Sequence, residues 1–257
     1  MDINYYNLHQ GDCTEILPSL EKELVDLIIT SPPYNVSKEY EIKLSEQEYK
    51  DFITKTLNGC YHVLKPDGRI CINVPFCMND KGTTFYILPI ILETFKECGF
   101  SFRHLITWDQ SASGCETAWG SWKSASSPWI RHMTEFILVG YKNQWKKLNK
   151  GESDITEKEF MTYTNDKWVM GTASAKRIGH PAPYPEELVY RCIKLFSYEN
   201  DVILDPFLGS GTTMKVCQEN RRSCIGIELF EDYIPLIKKR CWGRQFLDRP
   251  VKYEELS

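Results

Sequence analysis

Residues 25–35 read Val25-Asp26-Leu27-Ile28-Ile29-Thr30-Ser31-Pro32-Pro33-Tyr34-Asn35. The apolar run from Val25 to Ile29 has the length of a buried strand. It delivers a hydroxyl, two prolines and an aromatic ring to its carboxyl end, where open α/β sheets bind their ligands. Proline fixes φ and restricts the residue before it, so the corner is stiff. Pro32 and Pro33 have no N–H, which leaves the carbonyls of this corner available to a ligand amino group, and Tyr34 offers a flat face on which a base can stack. A second corner of the same kind lies far downstream, where Val202-Ile203-Leu204 runs into Asp205-Pro206-Phe207-Leu208-Gly209-Ser210-Gly211-Thr212-Thr213. Its glycines permit a tight turn and a close approach to a ligand. A third strand, Cys224 to Ile227, ends on Glu228, about 20 residues past the turn, the spacing at which a carboxylate takes the hydroxyls of a ribose. Together these stretches describe a nucleoside site beside an amino-group site. A phosphate loop is the rival reading of the glycine turn, and it fails for want of the lysine of Gly-x-x-x-x-Gly-Lys.

The chain has 257 residues, 42% hydrophobic and 26% charged, which suits one full-sized domain with an insertion. With a net charge of −4, any binding of DNA requires a local basic face. Ten cysteines, none in a Cys-x-x-Cys pair, read as reduced core thiols of a cytoplasmic protein, and no metal site is expected. Residues 1–10 lack the pattern of a signal peptide, and the longest apolar run, 85–92, holds a proline and is too short to span a bilayer, so no membrane role is expected.

In chain order, a strand at 4–9 closes on Gly11-Asp12, a helix is expected over 14–22, and the strand 25–29 follows. Ser45-Glu46-Gln47-Glu48 is a capping box; the helix it opens has Phe52, Ile53, Leu57, Cys60 and Leu64 on its apolar face. Between them the charged loop 36–44 is read either as a closing flap or as plain solvated chain. Lys65-Pro66-Asp67-Gly68 reads as a turn before a strand at 69–74. A helix over 83–98 and strands at 102–108 and 133–141 come next. The intervening segment 110–131 is rich in Ser, Ala and Gly and carries Trp119, Trp122 and Trp129, which suggests base stacking or duplex contact. The alternative is a loop pinned to the core by its tryptophans. Residues 142–177 hold eight lysines and arginines against five acids, a local excess that fits phosphate contact. The candidates for DNA contact are Trp119, Trp122, Lys123, Arg131, Lys146, Lys147, Lys176 and Arg177. Pro185, Glu186 and Glu187 open a further helix, and helices at 212–220 and 231–240 flank the last strand. The strands number seven, a mostly parallel sheet with helices on both faces, interrupted by a small insertion at 143–179 between the parts 1–142 and 180–257.

The Ser-Pro-Pro-Tyr tetrad preceding Phe207-x-Gly209-x-Gly211 resembles the β class of amino-methylating DNA methyltransferases, over roughly residues 8–240. The resemblance implies the S-adenosylmethionine (SAM) methyltransferase fold in its circularly permuted motif order, with SAM as cofactor and duplex DNA as substrate. It implies a target-recognition role for 143–179, and it brings in a cognate restriction endonuclease and a homodimer as possible partners. It places Asp12 at the adenine amino group, where a helix cap is the plain alternative. It places the Pro-rich entry at Pro181 near the methionine of SAM, and Asp205, Phe207, Gly209, Ser210, Gly211, Thr212, Thr213 and Glu228 around the rest of the cofactor. Trp119-Gly120-Ser121-Trp122 is similar to a run seen in cytosine-N4 enzymes, whereas Thr134-Glu135 stands where the family often has His-Glu. No Pro-Cys dipeptide provides the nucleophile of carbon-5 cytosine methylation.

The chemistry follows from the residue types. An exocyclic amine has its lone pair delocalised into the ring, and acceptors on its hydrogens restore nucleophilicity. Ser31 Oγ and the Pro32 carbonyl are placed to do this, with Pro33 stiffening the corner and Tyr34 stacking a flipped base. In the resembling family serine at this position is usual for cytosine N4 and a carboxylate for adenine N6, so cytosine N4 is expected and adenine N6 is the alternative. RNA or protein amino methylation and non-catalytic SAM-dependent DNA binding are the more remote readings.

Overall fold

In the computed structural model, which describes residues 4–35, 44–80, 83–114, 120–180 and 183–242, the three decisive corners all lie at the carboxyl ends of strands. The main sheet contains β1 (Tyr6–Gln10), β2 (Val25–Thr30), β3 (Leu64–Val74), β6 (Ser101–Asp109), β7 (Thr134–Tyr141), β8 (Lys167–Val169), β9 (Val202–Asp205) and β10 (Ser223–Glu228). A separate hairpin pairs β4 (Cys77–Asp80) with β5 (Thr83–Tyr86). The sheet order is β1-β10-β9-β2-β3-β7-β6-β8, and β7 alone runs against the others.

The sheet has eight strands rather than the seven expected. The added strand, β8, comes from the insertion and pairs in parallel with β6. Three residues are too few for periodicity to reveal a strand. Trp168 at its centre is completely buried, and its indole N–H donates to the Tyr163 carbonyl at 3.0 Å.

Helices cover both faces. One face packs α6 (Glu186–Phe196), α7 (Thr212–Glu219) and α8 (Ile234–Cys241) on Leu27 and Ile29. The other packs α1 (Cys13–Ile16), α2 (Glu46–Val63) and α3 (Ile87–Glu97) on Ile28. The alternation of neighbours along β2 is the period-two pattern of a strand. Leu27, Ile28 and Ile29 are all essentially inaccessible, and burial of each contributes about 1.5–3 kcal/mol. Two short helices, α4 (Glu157–Tyr163) and α5 (Ala175–Ile178), belong to the insertion.

Several boundaries differ from expectation. The first helix stops at Ile16 and continues as one 3₁₀ turn, because Pro18 supplies no N–H for an α-helical ladder. Lys65–Gly68 lies within β3 as an irregularity in its pairing with β2, so Leu64 belongs to a strand rather than to the helix face. Residues 83–86 form a strand, not helix, in keeping with Thr83-Thr84-Phe85-Tyr86, a β-branched and aromatic run. The capping box is present as expected: Glu48 N–H donates to Ser45 Oγ at 3.3 Å and Ser45 N–H to Glu48 Oε2 at 2.8 Å. The expected flap lies, over 36–43, outside the described residues. Its flanks are clamped by Asn35, whose side chain bonds both Leu44 N and Leu44 O at 2.8 Å.

Candidate active site

The carboxyl ends of β2, β9 and β10 surround a cleft of about 180 Å³. Of the residues proposed from sequence, Asp12, Ser31, Pro32, Pro33, Tyr34, Phe207, Gly209, Ser210, Thr212 and Glu228 line it. The serine corner and the glycine turn therefore share one space.

At the serine corner, Ser31 Oγ donates to the Asn73 carbonyl at 2.9 Å and lies 2.8 Å from Tyr34 Oη. Tyr34 Oη in turn donates to Glu135 Oε2 at 3.0 Å. Burial pushes the Tyr34 phenol well above its usual range, and the Glu135 carboxylate pushes it further, so the hydroxyl stays protonated. Asn73 Nδ2 donates to Glu135 Oε2 at 2.6 Å and Gln110 Nε2 to Glu135 Oε1 at 3.0 Å. Asn73 Oδ1 is buried with no hydrogen-bond partner among the described residues, a condition that costs about 1–3 kcal/mol. The Pro33 carbonyl accepts from Tyr49 Oη at 2.8 Å, which holds the corner on α2.

Asp205 ties the two halves together. It is fully buried and does not line the cleft. It accepts from Thr30 Oγ1 at 2.8 Å, from Tyr184 Oη and Thr213 Oγ1 at 2.6 Å each, and from the Phe207 N–H at 3.1 Å. Burial raises its carboxyl pKa against the pull of these bonds. Asp205 and Thr213, both expected at the cofactor, are thus fasteners behind the cleft wall. The hydrogen bond from Thr30 joins the residue before Ser31 to the residue that begins the glycine turn.

The two glycines of the turn differ in their surroundings. Gly209 has φ +54, and a Cβ there would lie 3.1 Å from His180 Nε2. Gly211, at φ +80, backs onto Cys241 and Ile237 of α8, away from the cleft. Arg240 Nη1 holds the turn from behind by donating to Ser210 O at 2.7 Å and Ser210 Oγ at 2.6 Å. Glu228 Oε2 accepts the Gly209 N–H at 2.8 Å and Oε1 the Phe230 N–H at 2.9 Å. Burial raises the Glu228 carboxyl pKa, and these backbone donors oppose the rise. Asp12 is the helix cap that sequence allowed as its plain role, accepting from Thr14 N at 2.8 Å, and it also faces the cleft.

Of the Pro-rich entry 180–185, His180, Pro183 and Tyr184 line the cleft; Phe230 and Tyr233, which sequence reasoning did not single out, line it too. The His180 and Tyr233 rings are 4.6 Å apart between centroids. Phe52, assigned to a core helix face, also lines the cleft and packs on Phe207 at 5.8 Å. Its helical spacing is the same for a core and a cleft position. Pro181 and Trp119 lie outside the described residues.

The residues proposed for DNA contact fall into two groups. Trp122 is 72% and Trp129 52% exposed on a loop that closes on itself through Ser121 N–H to Ser127 O at 2.8 Å. They are not pins into the core. Lys123 Nζ lies 5.5 Å from the Trp122 ring centroid, and Arg131 follows the loop, half-buried. Lys176 and Arg177 are exposed on α5, just before His180. Lys146 and Lys147 instead follow the carboxyl end of the antiparallel β7, at the amino ends of β2 and β9, the opposite end of the strands from the cleft. The side chain of Lys147 is 7% exposed and is held between Asp26 and Asp201, 3.4 Å from each. Its charge is consumed inside the fold, and Lys146, the neighbouring residue, is likewise remote from the cleft and not at a DNA-contact position. Counting charges along the insertion cannot separate such a buried pair from a free face. Among the described residues no group of three or more His, Cys, Asp or Glu could hold a metal, and no helix is long and apolar enough to cross a membrane.

A family model described as DNA methylase, of the N6/N4 type, matches residues 25–239. The type II methyltransferase M.MjaVI of Methanocaldococcus jannaschii is 40% identical over 165 residues, covering 62% of this chain and 83% of its own. The Thermus thermophilus protein TTHA0409, solved with S-adenosyl-L-methionine, superimposes with a TM-score of 0.76 at 24% identity, over 97% of this chain and 100% of its own. The cytosine-N4-specific PvuII DNA methyltransferase gives 0.73 at 21% identity, over 97% and 96% of the two chains. These last two likenesses concern the fold. Taken with the cleft that joins Ser31 to Gly209, the match across most of the sequence makes this chain a member of the N6/N4 DNA methylase family.

Proposed function

We propose that the chain is a site-specific, type II DNA methyltransferase that moves the methyl group of SAM to the exocyclic N4 amine of a cytosine flipped out of duplex DNA. The observation that carries this reading is the single cleft shared by the Ser31-Pro32 corner and the Gly209 turn.

The cleft suits SAM. Gly209 turns a bare Cα toward His180 where any side chain would intrude, and Glu228 presents a carboxylate whose remaining lone pairs can take ribose hydroxyls. Among the lining residues we assign Asp12 to the adenine amino group, Phe207 to the wall beside the reacting centre, and Ser210 and Thr212 to the methionine end. When bound, SAM supplies a methyl group already made electrophilic by the sulfonium, so positioning is the main task left to the protein. The Pro33 carbonyl is taken by Tyr49, so the Pro32 carbonyl and Ser31 Oγ are the acceptors for the amino hydrogens. Ser31 also carries a proton, which donates to the Asn73 carbonyl at 2.9 Å and can turn instead toward the ring nitrogen beside the amine. That second capacity, which a carboxylate lacks, supports cytosine N4 over adenine N6. Extrahelical stacking places the base on Tyr34.

Outside the cleft, Trp122, Lys123, Arg131, Lys176 and Arg177 form the face we assign to duplex DNA. The type II name of the M. jannaschii relative supports a cognate restriction endonuclease as a functional partner.

The test is nucleoside mass spectrometry of DNA from cells expressing the protein. N4-methylcytosine is expected. Only N6-methyladenine would move the assignment to the other base, and no modified base, from folded protein, would overturn the reading.

A further inference from the structure

Ser31, Asn73, Gln110 and Glu135 come from four separate elements and meet behind the serine corner. Glu135 stands at the start of β7, paired with Trp108 of β6, one strand over from Asn73 of β3. Three oxygens lie in an unbroken run: Ser31 Oγ, Tyr34 Oη at 2.8 Å, and Glu135 Oε2 a further 3.0 Å on. An ionised carboxylate only accepts, so Tyr34 donates to Glu135, while its Oη also accepts from Asn73 Nδ2 at 3.3 Å. The one Ser31 proton, which donates to the Asn73 carbonyl at 2.9 Å, reaches Tyr34 when the hydroxyl turns to its other neighbour at 2.8 Å. Glu135 is bonded by one ionisable group, Tyr34, and by the neutral amides of Asn73 and Gln110. No cation pairs with it among the described residues. It is an uncompensated, half-buried carboxylate aimed, through one phenol, at the hydroxyl that faces the cleft.

The geometry points to Glu135 as the terminal acceptor of the proton that the target amine must lose, reached through Ser31 and Tyr34. The inference rests on the amino-methylation reading of Ser31 and holds for either base. Methyl transfer forms the N–C bond as the C–S bond breaks with its electron pair staying on sulfur. The amine nitrogen is then left with one proton too many. That proton passes to Ser31 Oγ as the Ser31 proton passes to Tyr34 Oη and the Tyr34 proton to Glu135 Oε2. The products are a thioether, a neutral N-methyl amine and a neutral Glu135, which ionises again to solvent. Because the Tyr34 phenol is strongly disposed to remain protonated, it hands a proton on rather than storing the charge. Glu135 touches neither base nor cofactor; it acts through the two hydroxyls.

The experiment measures single-turnover transfer from tritiated SAM to unmethylated plasmid DNA, as a function of pH, for wild type, E135Q, Y34F and S31A. Tyr34→Phe keeps the ring that stacks a base and removes only the relay oxygen. The expected result is a fall of at least about a hundredfold in the rate for E135Q and Y34F, the lower end of the range for a general-base effect. Affinities for SAM and for the plasmid are unchanged, and the acid limb of the wild-type pH profile is absent from E135Q. Should E135Q fail to fold, Y34F decides. Wild-type rates and pH dependence in the folded variants overturn the relay. An inactive S31A alongside active E135Q and Y34F leaves the methyltransferase reading standing, whereas an active S31A removes the site reading itself.

Discussion

Replacing Gly209 with alanine separates the cost to the fold from the cost to cofactor binding. The backbone at 209 has φ +54, where an L-residue is disfavoured by roughly 1–2 kcal/mol. The new Cβ would lie 3.1 Å from His180 Nε2 and 3.3 Å from its Cε1, so the ring must yield by a few tenths of an ångström. The N–H bond from residue 209 to Glu228 is a backbone contact and survives. In a chain of this size such a loss lowers Tm by roughly 2–8 °C. The same methyl group enters the cleft against the bare Cα on which we place SAM. Its Kd, measured by calorimetry, should rise at least about tenfold, or ~1.4 kcal/mol. The rise in Tm that saturating SAM gives the wild type should shrink accordingly. Gly211→Ala is the matched control. Its φ of +80 carries similar strain, but its Cβ meets Cys241 Sγ and Ile237 Cγ2 at 3.2 Å, on the side of α8. It should destabilise the fold and leave SAM affinity within about twofold, well under the tenfold step that corresponds to ~1.4 kcal/mol. A G209A protein that binds SAM as tightly as wild type, or a G211A protein that loses SAM as severely as G209A, refutes the placement of the cofactor on Gly209.

Ser31→Ala should abolish turnover while calorimetry shows SAM binding intact, since Ser31 is assigned to the amine rather than to the cofactor. Trp122→Ala should weaken duplex binding by about 1–3 kcal/mol in a titration, the range for loss of a stacking platform, with Tm unchanged because the ring is 72% exposed. Lys176→Ala should reduce the slope of log affinity against log salt by about one; Lys147→Ala should leave that slope alone and lower Tm, because its partners are Asp26 and Asp201. Asp154→Ala removes a carboxylate from Arg222, whose side chain is completely buried, and breaking such a pair costs about 3–5 kcal/mol. The lower end applies because Arg222 keeps its bonds to Ser197 O and Asn220 O. Burial alone would raise the Asp154 carboxyl, but Arg222 and Lys194 outweigh it and hold it at about 2. Since the folded value is the lower one, its stabilisation is present above the ordinary carboxylate pKa, about 3.9, and is lost as pH falls through 2. Acid unfolding of the variant should lack that component.

The central fold was legible because its strands are buried on both faces. Leu27–Ile29, Val202–Leu204 and Cys224–Ile227 read as short apolar runs, each leading into a corner that only a turn or a ligand explains. The shared cleft was legible for the same reason: two strand ends carried complementary chemistry. Other features need tertiary information. β8 is three residues long and owes its place to one buried indole. The contact between Ser31, Asn73, Gln110 and Glu135 exists only because β2, β3, β7 and β6 are consecutive in the sheet, an order that no local pattern records. Asp205 looked like a ligand residue because it stands in the motif, yet its oxygens are filled by Thr30, Tyr184, Thr213 and the Phe207 N–H.

The sheet order has a consequence for how such a protein diversifies. β2 and β9 are neighbours and are fastened by Thr30 and Asp205, whereas β6 and β8, with the tryptophan-bearing loop and α5, occupy the far margin. On the proposed reading, exchange of that margin changes which duplex steps are touched and leaves the reach from donor to acceptor untouched. On the same reading, recombination confined to that margin trades specificity while Ser31, Glu135 and the glycine turn are kept. A chimaera that borrows residues 120–131 and 167–178 from a relative of different target preference, with Gln110, Glu135 and His180 kept, is the direct route to a new modification pattern.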